Sequence, residues 1–144
     1  MRLEFVRLDP AVSLPGSPHP GDAGLDLAAN ADLVVAPGER ALVPTGLAVA
    51  IPEGHAGLVL PRSGLASGRG LTLANAPGLV DSGYRGELTI AVVNLDPRDK
   101  VEIARGDRIA QLVVIPFAQV TPVEVEVLPA SARGEGGFGS SGVR

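Results

Sequence analysis

Residues 46–60 read Gly46-Leu47-Ala48-Val49-Ala50-Ile51-Pro52-Glu53-Gly54-His55-Ala56-Gly57-Leu58-Val59-Leu60. Two apolar runs, 46–51 and 56–60, flank a Pro-Glu-Gly turn signal. Each run is too short for a helix and has the length of a buried strand. The same alternation of short run and turn continues outward in both directions. Strand-like runs lie at 2–8, 33–35, 40–43, 71–74, 87–94, 100–103, 108–115 and 121–127. Between them stand Pro37-Gly38, Ala76-Pro77-Gly78, Asp96-Pro97-Arg98-Asp99 and Arg105-Gly106-Asp107. Val123, Val125 and Val127 alternate with Glu124 and Glu126, the pattern of a half-solvated strand. No window of ten or more residues keeps a helical period, and the best helix candidate is Ser63 to Ser67. Many short strands at close spacing predict an all-β antiparallel sandwich or barrel.

Composition fits that reading. A chain of 144 residues is one domain of ordinary size. Its 45% apolar content is mostly Val, Leu, Ile and Ala, so the core is expected to be aliphatic. The 19 glycines and 13 prolines supply the turns. Only Phe5, Tyr84, Phe117 and Phe138 are aromatic, and two of these rings sit among glycines rather than in apolar runs. That placement points to a site. A net charge of −4 argues against broad nucleic-acid or membrane binding, so a polyanionic ligand needs local arginines and a cation. With no cysteine, disulfides, thiol nucleophiles and Cys-ligated zinc are excluded. His19 and His55 stand alone, without ligand spacing. Met1-Arg2-Leu3-Glu4 has no apolar h-region and no run approaches membrane-spanning length, so the expected location is the cytoplasm.

Five segments carry residues suited to chemistry. Ala23-Gly24-Leu25-Asp26-Leu27 sets one carboxylate between leucines. If Asp26 points inward it needs a partner, for which Arg62 and Arg133 are candidates; alternation equally permits an outward Asp26. Pro61-Arg62-Ser63-Gly64 follows an apolar run and delivers Arg62 and Ser63 to a helix start, where free N–H groups favour anions. The simpler alternative is Ser63 as an N-cap and Arg62 as a surface charge. Residues 75–86 form a broad hairpin loop on which Asp81 and Tyr84 can both reach a pocket. There Asp81 can activate a water, and Tyr84 offers a flat face and a hydroxyl to a sugar. The alternative is a turn in which Asp81 caps backbone groups and Tyr84 covers the core edge. Gly106 to Leu112 is a turn feeding a strand, with Gln111 either a buried hydrogen-bonding group or an edge residue. Finally, Arg133-Gly134-Glu135-Gly136-Gly137-Phe138-Gly139-Ser140-Ser141-Gly142 puts one ring amid five glycines, with an arginine before it and hydroxyls after it. It suits a lid that orders over a ligand, with phosphate held by backbone N–H groups, Ser140, Ser141 and Arg133, and a base stacked on Phe138. A tail whose ring docks on the body is the plainer alternative.

Together and in this order, AGLDL at 23–27, PRSG at 61–64, GLVDSGYRG at 78–86, GDRIAQ at 106–111 and RGEGGFGSSG at 133–142 resemble the five motifs of the trimeric dUTPase family. They span nearly the whole chain. The resemblance implies a β-clip, jelly-roll subunit over residues 1–132, a flexible Gly-rich lid over 133–144, and a homotrimer with sites at subunit interfaces. It implies hydrolysis of dUTP to dUMP and pyrophosphate with Mg²⁺ on the triphosphate and waters rather than in a protein cage. By carry-over, Asp81 activates the water that attacks the α-phosphorus and touches the 3′-OH. Tyr84 packs under the deoxyribose, and Asn75 with the hairpin backbone reads uracil. Arg62, Ser63, Gly64 and Gln111 hold phosphates. Arg133, Gly139, Ser140 and Ser141 close on the γ end while Phe138 stacks on the base, and Asp26 organises arginines. The physics agrees, because phosphoryl transfer needs positioning and charge neutralisation more than a covalent nucleophile. Competing readings are a dCTP deaminase, alone or bifunctional, and a non-catalytic nucleotide-binding jelly roll. The first lacks a suitably placed glutamate near Pro61, and the second gives no reason for Asp81 beside an intact tail.

Overall fold

The structure, a computed structural model, describes residues 1–132, 134 and 135. Strands lead the chain: β1 (Glu4–Arg7), β2 (Leu25–Ala28), β3 (Leu33–Val35), β4 (Arg40–Ala50) and β5 (His55–Pro61). One short helix, α1 (Ser63–Arg69), follows, then β6 (Leu71–Leu73), β7 (Gly78–Val80), β8 (Glu87–Asn94), β9 (Val101–Ile103) and β10 (Arg108–Pro116). All pairings are antiparallel. One sheet runs β1-β4-β8-β6, the second β2-β10-β5-β7, and β3 pairs with β9 in a small third sheet. This is the antiparallel sandwich that the run-and-turn pattern predicted, in the jelly-roll form that the resemblance implied.

The core is aliphatic, as composition required. Val43, Val49, Leu88, Ile90 and Val92 from the first sheet meet Leu27, Val59, Val80, Ala110 and Leu112 from the second in one contiguous cluster. Val35, Val101 and Ile103 extend it from the third sheet, and Phe5 lies partly buried against it. On β8 the two-residue period is complete, with Leu88, Ile90, Val92 and Asn94 all inward. Asn94 is fully buried but satisfied. Its Nδ2 donates to the carbonyls of Val35 (3.0 Å) and Asp99 (2.8 Å), and its Oδ1 accepts from the Asp96 amide at 2.9 Å.

Four local expectations need correction. Runs 40–43 and 46–51 are one strand, because Pro44-Thr45-Gly46 forms a bulge in place of a break: β4 advances four residues while β8 advances two. Buried Thr45 stabilises it, its hydroxyl donating to the Leu88 carbonyl at 2.6 Å, and Gly46 takes φ +68, where a side chain is strained. Residues 78–80, read as loop, form β7 and cross to pair with β5 in the other sheet. The predicted helix starts at Ser63 but runs to Arg69, and its N-cap is Arg62 without a side-chain bond, so Ser63 does not cap it. Residues 121–127 form no strand. They pair with nothing among the described residues, and Val123, Val125 and Val127 all stand exposed.

Candidate active site

Register in the second sheet builds the first half of the site. Across β2, β10 and β5, Asp26 lies opposite Gln111 and Gln111 opposite Leu60. Leu27, Ala110, Leu112 and Val59 alternate with them and fill the core, so Asp26 and Gln111 occupy the outer face. The outward alternative for Asp26 is therefore the one observed, yet its side chain is only 13% exposed. Two guanidinium groups cover it. Arg62 Nε stands 3.2 Å from Oδ1 and Arg108 Nη1 3.0 Å from Oδ2. Arg62 Nη1 also donates to the Arg108 carbonyl at 3.0 Å. One carboxylate between two cations leaves a net positive charge, which suits a polyanion.

Arg108 was not anticipated from sequence. Strict alternation from Ala110 puts it on the core face. Ile109, however, is an extra residue in β10, because Arg108 pairs with Ala28 while Ala110 pairs with Leu27. The bulge turns Arg108 to the outer face beside Asp26. Gly106-Asp107 just before it was the available signal.

Gln111 is fixed by two neighbours. Its Nε2 donates to the Pro61 carbonyl at 3.0 Å, tying β10 to the entry of the Arg62 segment. Its Oε1 packs so close to Gly24 that a Cβ there would overlap it. Ser63 and Gly64 are exposed at the first turn of α1. Asp26, Arg62, Ser63, Gly64 and Gln111 line one open pocket of about 470 Å³.

The second half is a cleft of about 160 Å³ lined by Val59, Leu73, Asn75, Gly78, Tyr84 and Ala91, among others, so both sheets contribute. Asn75 is exposed at its mouth. Tyr84 is half-exposed, and its hydroxyl donates to the Glu87 carbonyl at 2.9 Å. That proton is thus not free for a sugar, and the ring face is what Tyr84 presents. Asp81 follows β7 directly and is exposed, and its carbonyl accepts from the Tyr84 amide at 3.1 Å in the turn.

Within one chain the two halves do not meet. The register Gly57↔Val80 puts Asp81 level with Ala56, six residues before Arg62 along β5. At ~3.3 Å per residue that separates them by roughly 20 Å along the sheet. The pocket at Arg62 and the cleft at Asn75 share no lining residue. Arg133, Phe138, Gly139, Ser140 and Ser141 lie outside the described residues.

A family model for dUTPase matches residues 11–142. The chain is 56% identical over 142 residues to the deoxyuridine 5′-triphosphate nucleotidohydrolase of Thermobifida fusca, covering 99% of this chain and 79% of that protein. It is 54% identical to the protein of the same name from Mycobacterium marinum, covering 97% and 94%. Among solved structures, the Staphylococcus bacteriophage 80alpha dUTPase with dUpNHpp superposes with a TM-score of 0.90 at 34% identity, over 99% of each chain. A mutant dUTPase from phage phi11 of S. aureus, described for its coordination of a structural Mg(II) ion, gives 0.81 at 29% identity, over 88% of this chain and 98% of that one.

Proposed function

Since the chain belongs to the dUTPase family and is a dUTP hydrolase, we propose that it releases pyrophosphate from dUTP by in-line attack of water on the α-phosphorus at sites shared between copies of the chain. In this reading the cleft at residues 75–91 takes the nucleoside. Asn75 and hairpin backbone groups pair with the uracil edge, so a wrong base leaves buried polar groups unpaired. The Tyr84 ring lies under the deoxyribose and leaves no room for a 2′-OH. Asp81 takes a proton from the attacking water and also touches the 3′-OH. Arg62, Ser63, Gly64 and Gln111 bind phosphate oxygens, with Asp26 holding Arg62 in place. Residues 133–144 act as the lid, through Arg133, Gly139, Ser140 and Ser141 on the γ end and Phe138 on the base.

Among the described residues no three His, Cys, Asp or Glu side chains converge on one point. Arginine, hydroxyl and amide donors fit a Mg²⁺ that arrives on the triphosphate, held by phosphate oxygens and water. When bound, it neutralises charge building on the phosphates.

The ~20 Å between Asp81 and Arg62 is the observation that carries the shared site, since a sheet of fixed register cannot fold to bring them together. A homotrimer lets the nucleoside cleft of one copy face the arginine pocket of the next. Incubation with Mg²⁺ and, separately, dUTP, dCTP, dTTP and UTP tests the reaction. Pyrophosphate and dUMP are expected from dUTP alone, whereas ammonia from dCTP would move the assignment to a deaminase. Mixing tests the sharing: Asp81→Asn and Arg62→Ala are each expected to be inactive. Subunits unfolded and refolded together regain about a quarter of parental turnover if each site draws on two copies at random. No recovery on mixing places both groups in one chain.

A further inference from the structure

We propose that Gly86 is the positioning residue that makes Tyr84 a sugar gate, an inference that rests on the reading of Tyr84 as the floor of the deoxyribose site. The ring of Tyr84 folds back onto the hairpin backbone two residues further on. A Cβ built on Gly86 would overlap the Tyr84 hydroxyl and stand 2.6 Å from Cζ and 3.0 Å from Cε2. No backbone atom is among these nearest contacts, and Gly86 is not in the left-handed region of φ. Its glycine identity is therefore explained by the room the ring needs, unlike Gly70, whose φ is +66 and whose Cβ would meet the Asp96 amide.

The close approach has a chemical consequence. It brings the Tyr84 hydroxyl within 2.9 Å of the Glu87 carbonyl, to which it gives its only proton. A free phenol beside a pentose offers a hydrogen bond to a ribose 2′-OH and so rewards the wrong sugar. Committed to Glu87, it presents a carbon face instead, against which an extra hydroxyl is unpartnered and crowded. Glu87 is itself anchored, because its Oε1 accepts from the Gly46 amide at 2.7 Å in the β4 bulge. The ring is thus referenced to the sandwich through its hydroxyl and held against the backbone by the missing side chain at residue 86.

Tyr84 is the only tyrosine and the chain has no tryptophan, so the near-ultraviolet circular dichroism of tyrosine reports on this ring alone. Gly86→Ala is expected to keep the far-ultraviolet spectrum and the oligomeric state, to change the tyrosine band, and to lower the dUTP-over-UTP ratio of kcat/KM about tenfold, equivalent to ~1.4 kcal/mol. An unchanged band, or an unchanged ratio, overturns the proposal. Tyr84→Ala, measured alongside, separates the premise from the inference. A ratio unchanged in Tyr84→Ala sinks the sugar-floor reading. A ratio that collapses there but survives in Gly86→Ala sinks only the role of Gly86. Should Gly86→Ala fail to fold, Tyr84→Phe, which frees the ring from Glu87 without touching the backbone, is expected to lower the ratio about threefold; no change overturns the tether.

Discussion

Replacing Asp26 by asparagine removes one charge and almost no volume, and the geometry sets what it costs. Asp26 forms an ion pair with Arg62 Nε at 3.2 Å on one oxygen and accepts a hydrogen bond from Arg108 Nη1 at 3.0 Å on the other. Asparagine can still accept from one guanidinium, but it turns an NH₂ toward the other, donor against donor. One charged contact is lost outright, worth ~1.5–3 kcal/mol where water is excluded. The Arg62 side chain is 29% exposed, so its pair with Asp26 is largely sheltered. Arg108 is 54% exposed, so its share is heavily screened and closer to that of a surface pair, ~0.5 kcal/mol. The two arginines are also left facing one another without a counter-charge. A net loss of about 2 kcal/mol follows, which at a urea m-value of ~2 kcal/mol/M shifts the unfolding midpoint by about 1 M. The assay is urea unfolding at fixed protein concentration, since assembly couples to stability. It is paired with steady-state kinetics, in which KM for dUTP should rise more than kcat falls because Arg62 loses its support. A midpoint within 0.2 M of the parent, an arbitrary limit at about a fifth of the expected shift, would refute the claim that Asp26 holds the arginines. Unchanged stability with turnover lost as completely as in Asp81→Asn would instead place Asp26 in the chemistry.

Deleting residues 133–144 is expected to leave the sandwich folded by circular dichroism and turnover badly impaired, with Phe138→Ala losing less than the deletion. A truncated chain that fails to fold makes the tail part of the core. Gly70→Ala should lower the urea midpoint by ~0.5 M or more, because Gly70 caps α1 at φ +66 and a Cβ there would stand 2.7 Å from the Asp96 amide, which is backbone and cannot swing aside. Asp9 accepts from the Ala11 amide, Asn30 and Arg105, and these bonds hold its carboxyl below the ordinary aspartate value of 3.8. Its contribution is therefore complete above that value and is lost as pH falls through the lower folded one. Asp9→Asn should accordingly flatten the decline of the urea midpoint below pH 3.8, and an acid limb identical to the parent's would assign that decline to other carboxylates.

Strand positions could be read from the sequence wherever a turn signal interrupts an apolar run, because Pro and Gly at such places cannot continue a ladder. The same rule misled at Pro44-Thr45-Gly46, where the interruption is a bulge whose stabilising bond, Thr45 to Leu88, spans 43 residues of sequence. β7 escaped notice for a related reason: three residues carry no period, and what makes them a strand is β5, some twenty residues earlier. Asp26 and Arg62 could be paired on charge alone, but Gln111 joins them only through the motif resemblance, and only register shows why the three converge. Arg108 required the bulge at Ile109, which alternation cannot foresee. At 121–127 the alternation of Val and Glu has the period of a strand, but a strand needs a paired neighbour, and nothing among the described residues pairs with it.

Both halves of the site depend on departures from regular pairing, and this separates stability from activity along the chain. The bulge in β10 delivers Arg108 to the outer face beside Asp26. The bulge in β4 presents the Gly46 amide to Glu87, whose carbonyl holds Tyr84. Between these points the sheets are regular and, Asn94 apart, their inward residues are aliphatic, so they can fix positions but offer no chemistry. Shaving a core residue such as Val92 or Leu112 costs folding energy first, because the cavity is felt throughout a close-packed interior. Altering the residues at a bulge re-aims one functional side chain while leaving most of the core contacts intact. The regular sandwich thus acts as the fixed frame, and its two irregularities determine where the arginines and the tyrosine point.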